Sequence, residues 1–347
     1  SGADHLTMYL HQDGTVSTVG ENRYGQLGHG DTQDRTVITK IPQFSDGNSF
    51  DNVLSICCGY EHAIALHSDG TLSSWGYGQN GRLGLGASTN DVKRPTKITS
   101  FSDGNVFPGQ YPVIQVACVG KFTLALHSDG SVSSWGYNPY GELGHGDETN
   151  RTAPTKISGL NDIIYVGPGY QWSSVIHSDG TVSSWGRNNY GQLGRGNTTG
   201  GMKSPSKIPG LSNVKQITGG DWHTVAVLND GTAKTWGRGE QGQLGNGWSD
   251  RTTPTALAYP SHSDIVQAVC GWNHSLFLHS DGQVSSTGYN GQTQLGRRPD
   301  LNTDNAAVKI TGLTGVNQIS AHRNSSVVLK TTSSDIYPFS GSPVSQS

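Results

Sequence analysis

Ser68-Asp-Gly-Thr-Leu-Ser-Ser-Trp-Gly76 decides the fold, because the chain writes the phrase again as Ser128-Asp-Gly-Ser-Val-Ser-Ser-Trp-Gly136 and Ser178-Asp-Gly-Thr-Val-Ser-Ser-Trp-Gly186. An Asp-Gly pair followed six residues on by a glycine occurs six times, at Asp13, Asp69, Asp129, Asp179, Asp230 and Asp281. The steps are 56, 60, 50, 51 and 51 residues. A period of this length marks a stack of equivalent units. Each unit is too small and polar to bury a core alone, so the units must lean on one another. Residues that recur are then structural, and function belongs where the copies disagree.

Working outward from the phrase, Val53 to Cys58 is a short apolar run, Gly59-Tyr60-Glu61 a turn and His62 to His67 a second run. Asp69-Gly70 is expected to supply a pair of residues at φ > 0 for a tight hairpin, after which Thr71 to Trp75 alternates as a strand does. A loop containing Gly81-Arg-Leu-Gly84 leads to a fourth, outer strand at Pro95 to Ile98. Four antiparallel strands per copy make a propeller blade. Registered on the second strand, the copies align at His5, His62, Thr123, Trp172, His223, His274 and Ser325, which makes seven. The expected architecture is all-β: a seven-bladed β-propeller of four-stranded antiparallel blades, one domain over residues 1–341, with a tail at residues 342–347. The first copy lacks its first strand, and the seventh replaces the repeated phrase by Ser333-Ser-Asp-Ile-Tyr-Pro-Phe339. The tail is a candidate filler for an incomplete blade.

Composition fits this reading. Of 347 residues 49 are Gly, and only 32% are hydrophobic, which suits short strands joined by tight turns. No stretch is apolar enough to cross a bilayer, so no membrane partner is expected. A net charge of −3, with 14% charged residues and basic pairs such as Lys93-Arg94 but no longer basic run, disfavours nucleic acid. The chain opens at Ser1-Gly2 without Met, which reads as a trimmed start. Asn150-Arg-Thr, Asn197-Thr-Thr, Asn273-His-Ser and Asn324-Ser-Ser fit the glycosylation pattern and weakly favour a secreted or extracellular protein.

The sequence Gly-x-x-His-x-x-x-Leu, then Asp-Gly-x-Val-x-x-Trp-Gly, then Gly-Gln-Leu-Gly and a following Pro resembles the regulator of chromosome condensation repeat family, from His5 to about Gly341. The resemblance implies a seven-bladed propeller but no single activity, since that family includes a nucleotide exchange factor for a small GTPase, a plant ultraviolet-B photoreceptor and a bacterial β-lactamase inhibitor. The photoreceptor is marked by Gly-Trp-Arg-His-Thr in consecutive blades. Here the corresponding segments are Gly220-Asp-Trp-His-Thr224, Gly271-Trp-Asn-His-Ser275 and His322-Arg-Asn-Ser325, which argues against light sensing.

Strand direction places the Gly59-Tyr60-Glu61 type of turn and the Gly-Gln-Leu-Gly loops on one face of the disc, and the Asp-Gly hairpins on the other. After the turn glycine the copies read Ala3, Tyr60, Lys121, Tyr170, Asp221, Trp272 and Arg323, and next Asp4, Glu61, Phe122, Gln171, Trp222, Asn273 and Asn324. These two positions vary while the scaffold repeats. They gather Tyr60, Phe122, Tyr170, Trp172, Trp222 and Trp272 on one rim with Glu61, Lys121, Asp221 and Arg323, and Trp248 extends the patch. Aromatic residues and Arg are the composition of protein-binding hot spots. Against this stands the bland alternative that individual rings wedge between blades.

On the opposite face, His11, His67, His127, His177 and His279 form a ring of imidazoles that reads either as a pH-sensitive surface or as exposed polar strand ends. Two longer connections, Phe44 to Phe50 and Phe101 to Phe107, are either functional loops or a duplicated insertion with a turn of its own. Gly-x-Leu-Gly-x-Gly runs such as Gly25 to Gly30 imitate a dinucleotide fingerprint, but they recur and lack a following helix. Cys57, Cys58, Cys118 and Cys270 fall in the last two places of the same strand type and read as buried small residues, with neither a zinc nor a disulfide framework. The turn histidines His5, His62, His223 and His274 are expected to bond across their turns. No catalytic set appears once; triad-like residues recur as scaffold, so no enzyme, cofactor or metal is expected. The expected function is a non-catalytic interaction module for a protein partner, with a glycan-binding propeller as the alternative and nucleotide exchange on a small GTPase as a third reading.

Overall fold

The computed structural model describes residues 6–86, 90–258, 264–297 and 302–330. His5, Ala3, Asp4, the Ser333 to Phe339 segment and the tail at 342–347 lie outside the described residues. Within them the chain forms seven antiparallel sheets in sequence order, a seven-bladed β-propeller. Blades 2 to 6 have four strands each, blade 1 has three and blade 7 has two among the described residues. In blade 2 the order is Val53–Cys58, His62–His67, Leu72–Gly76 and Val92–Lys97, each paired with the next. The first strands of successive blades, Val53–Cys58, Val113–Val119, Ile163–Val166, Val214–Gly219, Ile265–Cys270 and Val316–His322, neighbour one another and form the inner wall.

The blades depend on one another as the repeat demands. Every apolar cluster draws side chains from two consecutive blades. Third-strand Trp75, Trp135, Trp185 and Trp236 are fully buried. Each lies against the loop of the preceding blade, and Trp236 Nε1 donates to the Gln192 carbonyl at 2.8 Å. Gly194 of that loop has φ 74°, and a Cβ there would stand 2.9 Å from Trp236 Nε1, so both backbone angle and clearance require glycine. On the opposite face each hairpin glycine carbonyl accepts the first inner-strand amide of the next blade, as in Val113 N to Gly70 O at 3.1 Å.

The Asp-Gly hairpins differ in detail from the sequence expectation. Only the glycine is left-handed (Gly70, φ 77°). Asp69 instead caps the turn, its Oδ1 accepting the Thr71 amide at 2.9 Å and the Thr71 hydroxyl at 2.6 Å. An Asp side chain stabilises such a turn through its own downstream backbone.

The imidazoles near these hairpins are not an exposed ring, since of the five only His11 is exposed. His67, His127, His177 and His279 are buried, and each pairs through Nε2 with the serine six residues on, as in His127 and Ser133 at 2.8 Å. Burial pushes His67 and His127 below the ordinary imidazole range. Phe44 and Phe50 close edge to face at 5.0 Å over His67, and Phe101 and Phe107 repeat the arrangement over His127. Both long connections therefore plug their blades, and each contains its own turn, with Phe44 N bonded to Asn48 O and Phe101 N to Asn105 O.

Cysteine is a second correction. Cys57 and Cys118 form a disulfide between the inner strands of blades 2 and 3, with Cα atoms 5.7 Å apart. Neighbouring inner strands bring equivalent positions side by side, which is close enough to bridge. Cys58 and Cys270 stay outside the disulfide.

Two loops put a buried charged residue type where the repeat has Gln, Arg82 in blade 2 and Glu142 in blade 3. Gln26, Gln192, Gln243 and Gln294 each accept the backbone amide two residues before them; at the same place Glu142 accepts Tyr140 N at 2.8 Å. Burial pushes the Glu142 carboxyl up to about 7. A carboxyl whose folded pKa lies above its unfolded value costs nothing while protonated in both states, and the molecule loses stability as pH rises through about 7. Glu142→Gln is therefore expected to stabilise the fold above that pH by on the order of 1–3 kcal/mol, and to change little where Glu142 is protonated in both states. Urea midpoints of both proteins across the acid-to-neutral range check this; a gain of equal size at both ends would contradict it.

Candidate protein-docking face

The turns between first and second strands bring their side chains over one mouth of the ring. Tyr60 of blade 2 stacks on Tyr170 of blade 4, with ring centroids 5.4 Å apart and planes 24° apart. Blade 3 lies between them and makes room: Gly120 has φ 61°, and a Cβ there would stand 3.0 Å from the Tyr170 ring. Tyr170 meets Trp222 edge to face at 6.1 Å. The Arg323 guanidinium of blade 7 lies 4.6 Å from the centre of the Tyr60 ring and 4.3 Å from that of Trp272. Half-buried rings from blades 2, 4, 5 and 6 and a guanidinium from blade 7 thus form one connected surface.

A second tier encloses the first. Arg187 sits 4.1 Å from the Trp222 ring centre and 4.7 Å from that of Tyr140, and its Nη1 donates to Gln171 Oε1 at 2.7 Å. Tyr190 packs on Trp222 at 5.4 Å and carries Arg238 at 5.0 Å. Cation–π contacts of this kind are worth roughly 0.5–2 kcal/mol each and hold long side chains in fixed orientations. Arg187, Arg238, Tyr140 and Tyr190 were missed by sequence reasoning. For Arg187 and Arg238 a signal was present: the residue after the third-strand glycine reads Glu21, Tyr77, Tyr137, Arg187, Arg238 and Tyr289.

Asp221 is an acid set into this surface, and Glu240 accepts from Arg238 at its edge at 2.7 Å. Desolvation pushes the Asp221 carboxyl up to about 8, with Arg187 opposing. Burial, and then the nearby Asp221, also raise the Tyr60 phenol, and burial raises Tyr170. With Asp221 largely protonated at neutral pH, Arg187 and Arg323 give the mouth a cationic character.

The other expected site residues fall differently. Glu61 pairs with Arg82 at 3.4 Å, and Lys121 lies 5.4 Å from the Tyr137 ring centre, both on the patch margin. Trp248 is 48% exposed on the loop between the third and fourth strands of blade 5. Phe122 and Trp172 do not belong to the surface. Phe122 is 1% exposed in the core shared by blades 3 and 4, and Trp172 is 0% exposed. Trp172 begins a second strand, the position of His62, His223 and His274, and its indole fills the space over Gly169 and Gly219. That position faces the stack: His223 and His274 are also buried, and they bond to Ser275 and Ser326 of the next blade at 2.9 Å, not across their own turns. Among the described residues no group of three or more His, Cys, Asp or Glu side chains is placed to hold a metal ion, and no helix is long and apolar enough to cross a membrane.

Fold and face define a propeller whose blades are built alike and differ at one mouth. The sequence profile described as Regulator of chromosome condensation (RCC1) repeat matches residues 13–66, 69–126, 129–176, 179–227 and 230–278, and the chain belongs to this family. It is 33% identical over 308 residues to Ultraviolet-B receptor UVR8 of Arabidopsis thaliana, covering 87% of this chain and 67% of the receptor. It is 31% identical over 283 residues to human E3 ubiquitin-protein ligase HERC2, covering 80% of this chain but only 6% of the ligase. Among solved structures, human WBSCR16 superposes with a TM-score of 0.82 at 22% identity over 95% of this chain and 85% of that one. Yeast RCC1 (Prp20) bound to Kap60 superposes with a TM-score of 0.78 at 24% identity over 95% of this chain and 81% of that one. These two likenesses establish the fold.

Proposed function

We propose that this propeller is a non-catalytic interaction module that docks a protein partner on the mouth formed by Tyr60, Tyr170, Arg187, Trp222, Trp272 and Arg323, with Glu61, Lys121, Asp221 and Trp248 at its margin. The observation that carries the reading is the continuous ring-and-guanidinium surface, drawn from five blades at positions where the repeat does not dictate the residue. Trp, Tyr and Arg dominate binding energy where they are prepositioned and can be fully desolvated. The solved structure of Kap60 bound to yeast RCC1 supports the reading as an example of a structural neighbour in complex with another protein.

The test is a paired capture and titration. The intact disc and a Trp222→Ala, Trp272→Ala double variant serve as bait, and affinity for the captured protein is then measured with both. The double variant is expected to lose at least ~2 kcal/mol, about thirtyfold, while Val37→Ala on an exposed outer strand leaves binding intact. Unchanged affinity in a folded double variant would remove the proposal.

A further inference from the structure

Side chains tie neighbouring blades together by four kinds of hydrogen bond. A glutamine third in the inner strand clamps both the amide and the carbonyl of one residue in the next blade: Gln115 holds Val166, Gln216 holds Ala268 and Gln267 holds Ile319, at 2.8–3.2 Å. A third-strand indole donates to the preceding loop, as Trp75, Trp185 and Trp236 do. A second-strand hydroxyl donates to the same loop, as in Ser173, Thr224, Ser275 and Ser326. The His223 and His274 imidazoles pair with Ser275 and Ser326 of the following blade.

Between blades 2 and 3 all four kinds are missing. Ser55 is third in Val53–Cys58, the place of the clamping glutamine, and makes no such bond. The Trp135 indole N–H is buried without a partner among the described residues. Leu124 stands where the other blades have the hydroxyl, so His62, which would meet it, keeps both ring nitrogens buried and unpaired among the described residues. Buried polar atoms left unpaired destabilise the contact that holds them. This is the junction that the Cys57–Cys118 disulfide bridges. The bridge also stands next to the mouth: Cys57 precedes Tyr60 by three residues and Cys118 precedes Gly120 by two. Tyr60 N donates to the Gly120 carbonyl at 2.7 Å, and the Tyr60 ring reaches past blade 3 to stack on Tyr170.

We propose that the Cys57–Cys118 bridge is a redox latch on this mouth. Closed, it holds Tyr60 against Tyr170; opened by reduction, it lets the inner strands of blades 2 and 3 part locally in a disc that stays folded, and the two rings separate. The opening is local because the junctions on either side keep their side-chain bonds, Trp75 to blade 1 and Gln115, Ser173 and Trp185 between blades 3 and 4. The reductant is a dithiol. Its thiolate attacks the sulfur of Cys57, which is half-buried where Cys118 is 6% exposed, and Cys118 leaves as a thiolate that takes up a proton. The second thiol then displaces Cys57 from the mixed disulfide. Two electrons and two protons have passed from the dithiol to the cysteines, and the dithiol has become a disulfide.

The test follows amide hydrogen exchange and tyrosine nitration in the full chain, oxidised and after dithiothreitol, below the melting temperature of the reduced form. No partner is present, so failure of the latch and failure of the docking reading are separate results. On reduction the Tyr60 amide is expected to exchange at least about tenfold faster, with nitration of its ring rising in parallel. The equivalent amides of Tyr170 and Trp272, bonded to the Gly220 and Arg323 carbonyls, should keep their rates. Reoxidation should restore the slow exchange, and Ser55→Gln, which rebuilds the missing clamp, should slow the Tyr60 amide in the reduced chain. A Tyr60 amide or ring that does not respond to reduction would overturn the proposal. Equal acceleration at Tyr60, Tyr170 and Trp272 would also overturn it, since the whole disc would then be unfolding.

Discussion

Replacing Trp236 by Ala is expected to destabilise the propeller by about 3–5 kcal/mol, the range for removing a fully buried indole. The residue is 0% exposed, it is held by the Gln192 carbonyl of blade 4, and it lies against the core shared by blades 4 and 5. The loss therefore falls on a junction between units, and a ring of mutually dependent units transmits such a loss to its neighbours. Gly194→Ala should damage the same junction from the other side. By contrast, Trp222→Ala on the mouth removes a half-buried ring and should cost about 1 kcal/mol or less. Urea unfolding of the three variants orders them directly. Equal costs for Trp236→Ala and Trp222→Ala would mean that the third-strand indoles are not the wedges described.

Opening the Cys57–Cys118 bridge is expected to have the second largest effect. The two cysteines are 61 residues apart, and closing a loop of that length restricts the unfolded chain by about 4 kcal/mol in the chain-entropy account. Cys57→Ser should lower the melting temperature and abolish its dependence on reductant, while the unaltered protein under reductant should approach the variant. The Cys58 and Cys270 thiols are unaffected by either change. Identical melting of the unaltered protein with and without reductant would contradict a stapled pair of blades.

The fold was legible because its determinants are local and repeated. Asp-Gly pairs mark the hairpins, the Trp-Gly phrase marks the third strands, and the spacing between them sets the unit. What escaped sequence reasoning involves contacts between units. The 61-residue separation of Cys57 and Cys118 says nothing until blades 2 and 3 are known to lie inner strand against inner strand. Phe122 and Trp172 share a short turn region with Tyr60 and Trp222, and only the stacking of blades decides which rings turn inward. The imidazoles of His67, His127, His177 and His279 looked like strand ends because their partner serines sit six residues away across a hairpin. Of the candidate surface, the turn residues Tyr60, Tyr170, Asp221, Trp222, Trp272 and Arg323 were visible as departures from the repeat. Arg187 and Arg238 also depart from the repeat but at a position outside the turn, and the enclosing Tyr140 and Tyr190 belong to loops whose other residues, Gly and Leu, repeat so closely that nothing marks them out.

The account turns on which mouth of the ring meets a partner. Side-chain footprinting of the disc with and without its bound protein measures this at once, because Tyr and Trp report oxidation directly. Protection is predicted at Tyr60, Tyr170, Trp222 and Trp272, with Tyr111 on the hairpin face unchanged. Protection confined to Tyr111 and the hairpin face, with the four rings as reactive as in the free disc, would contradict it.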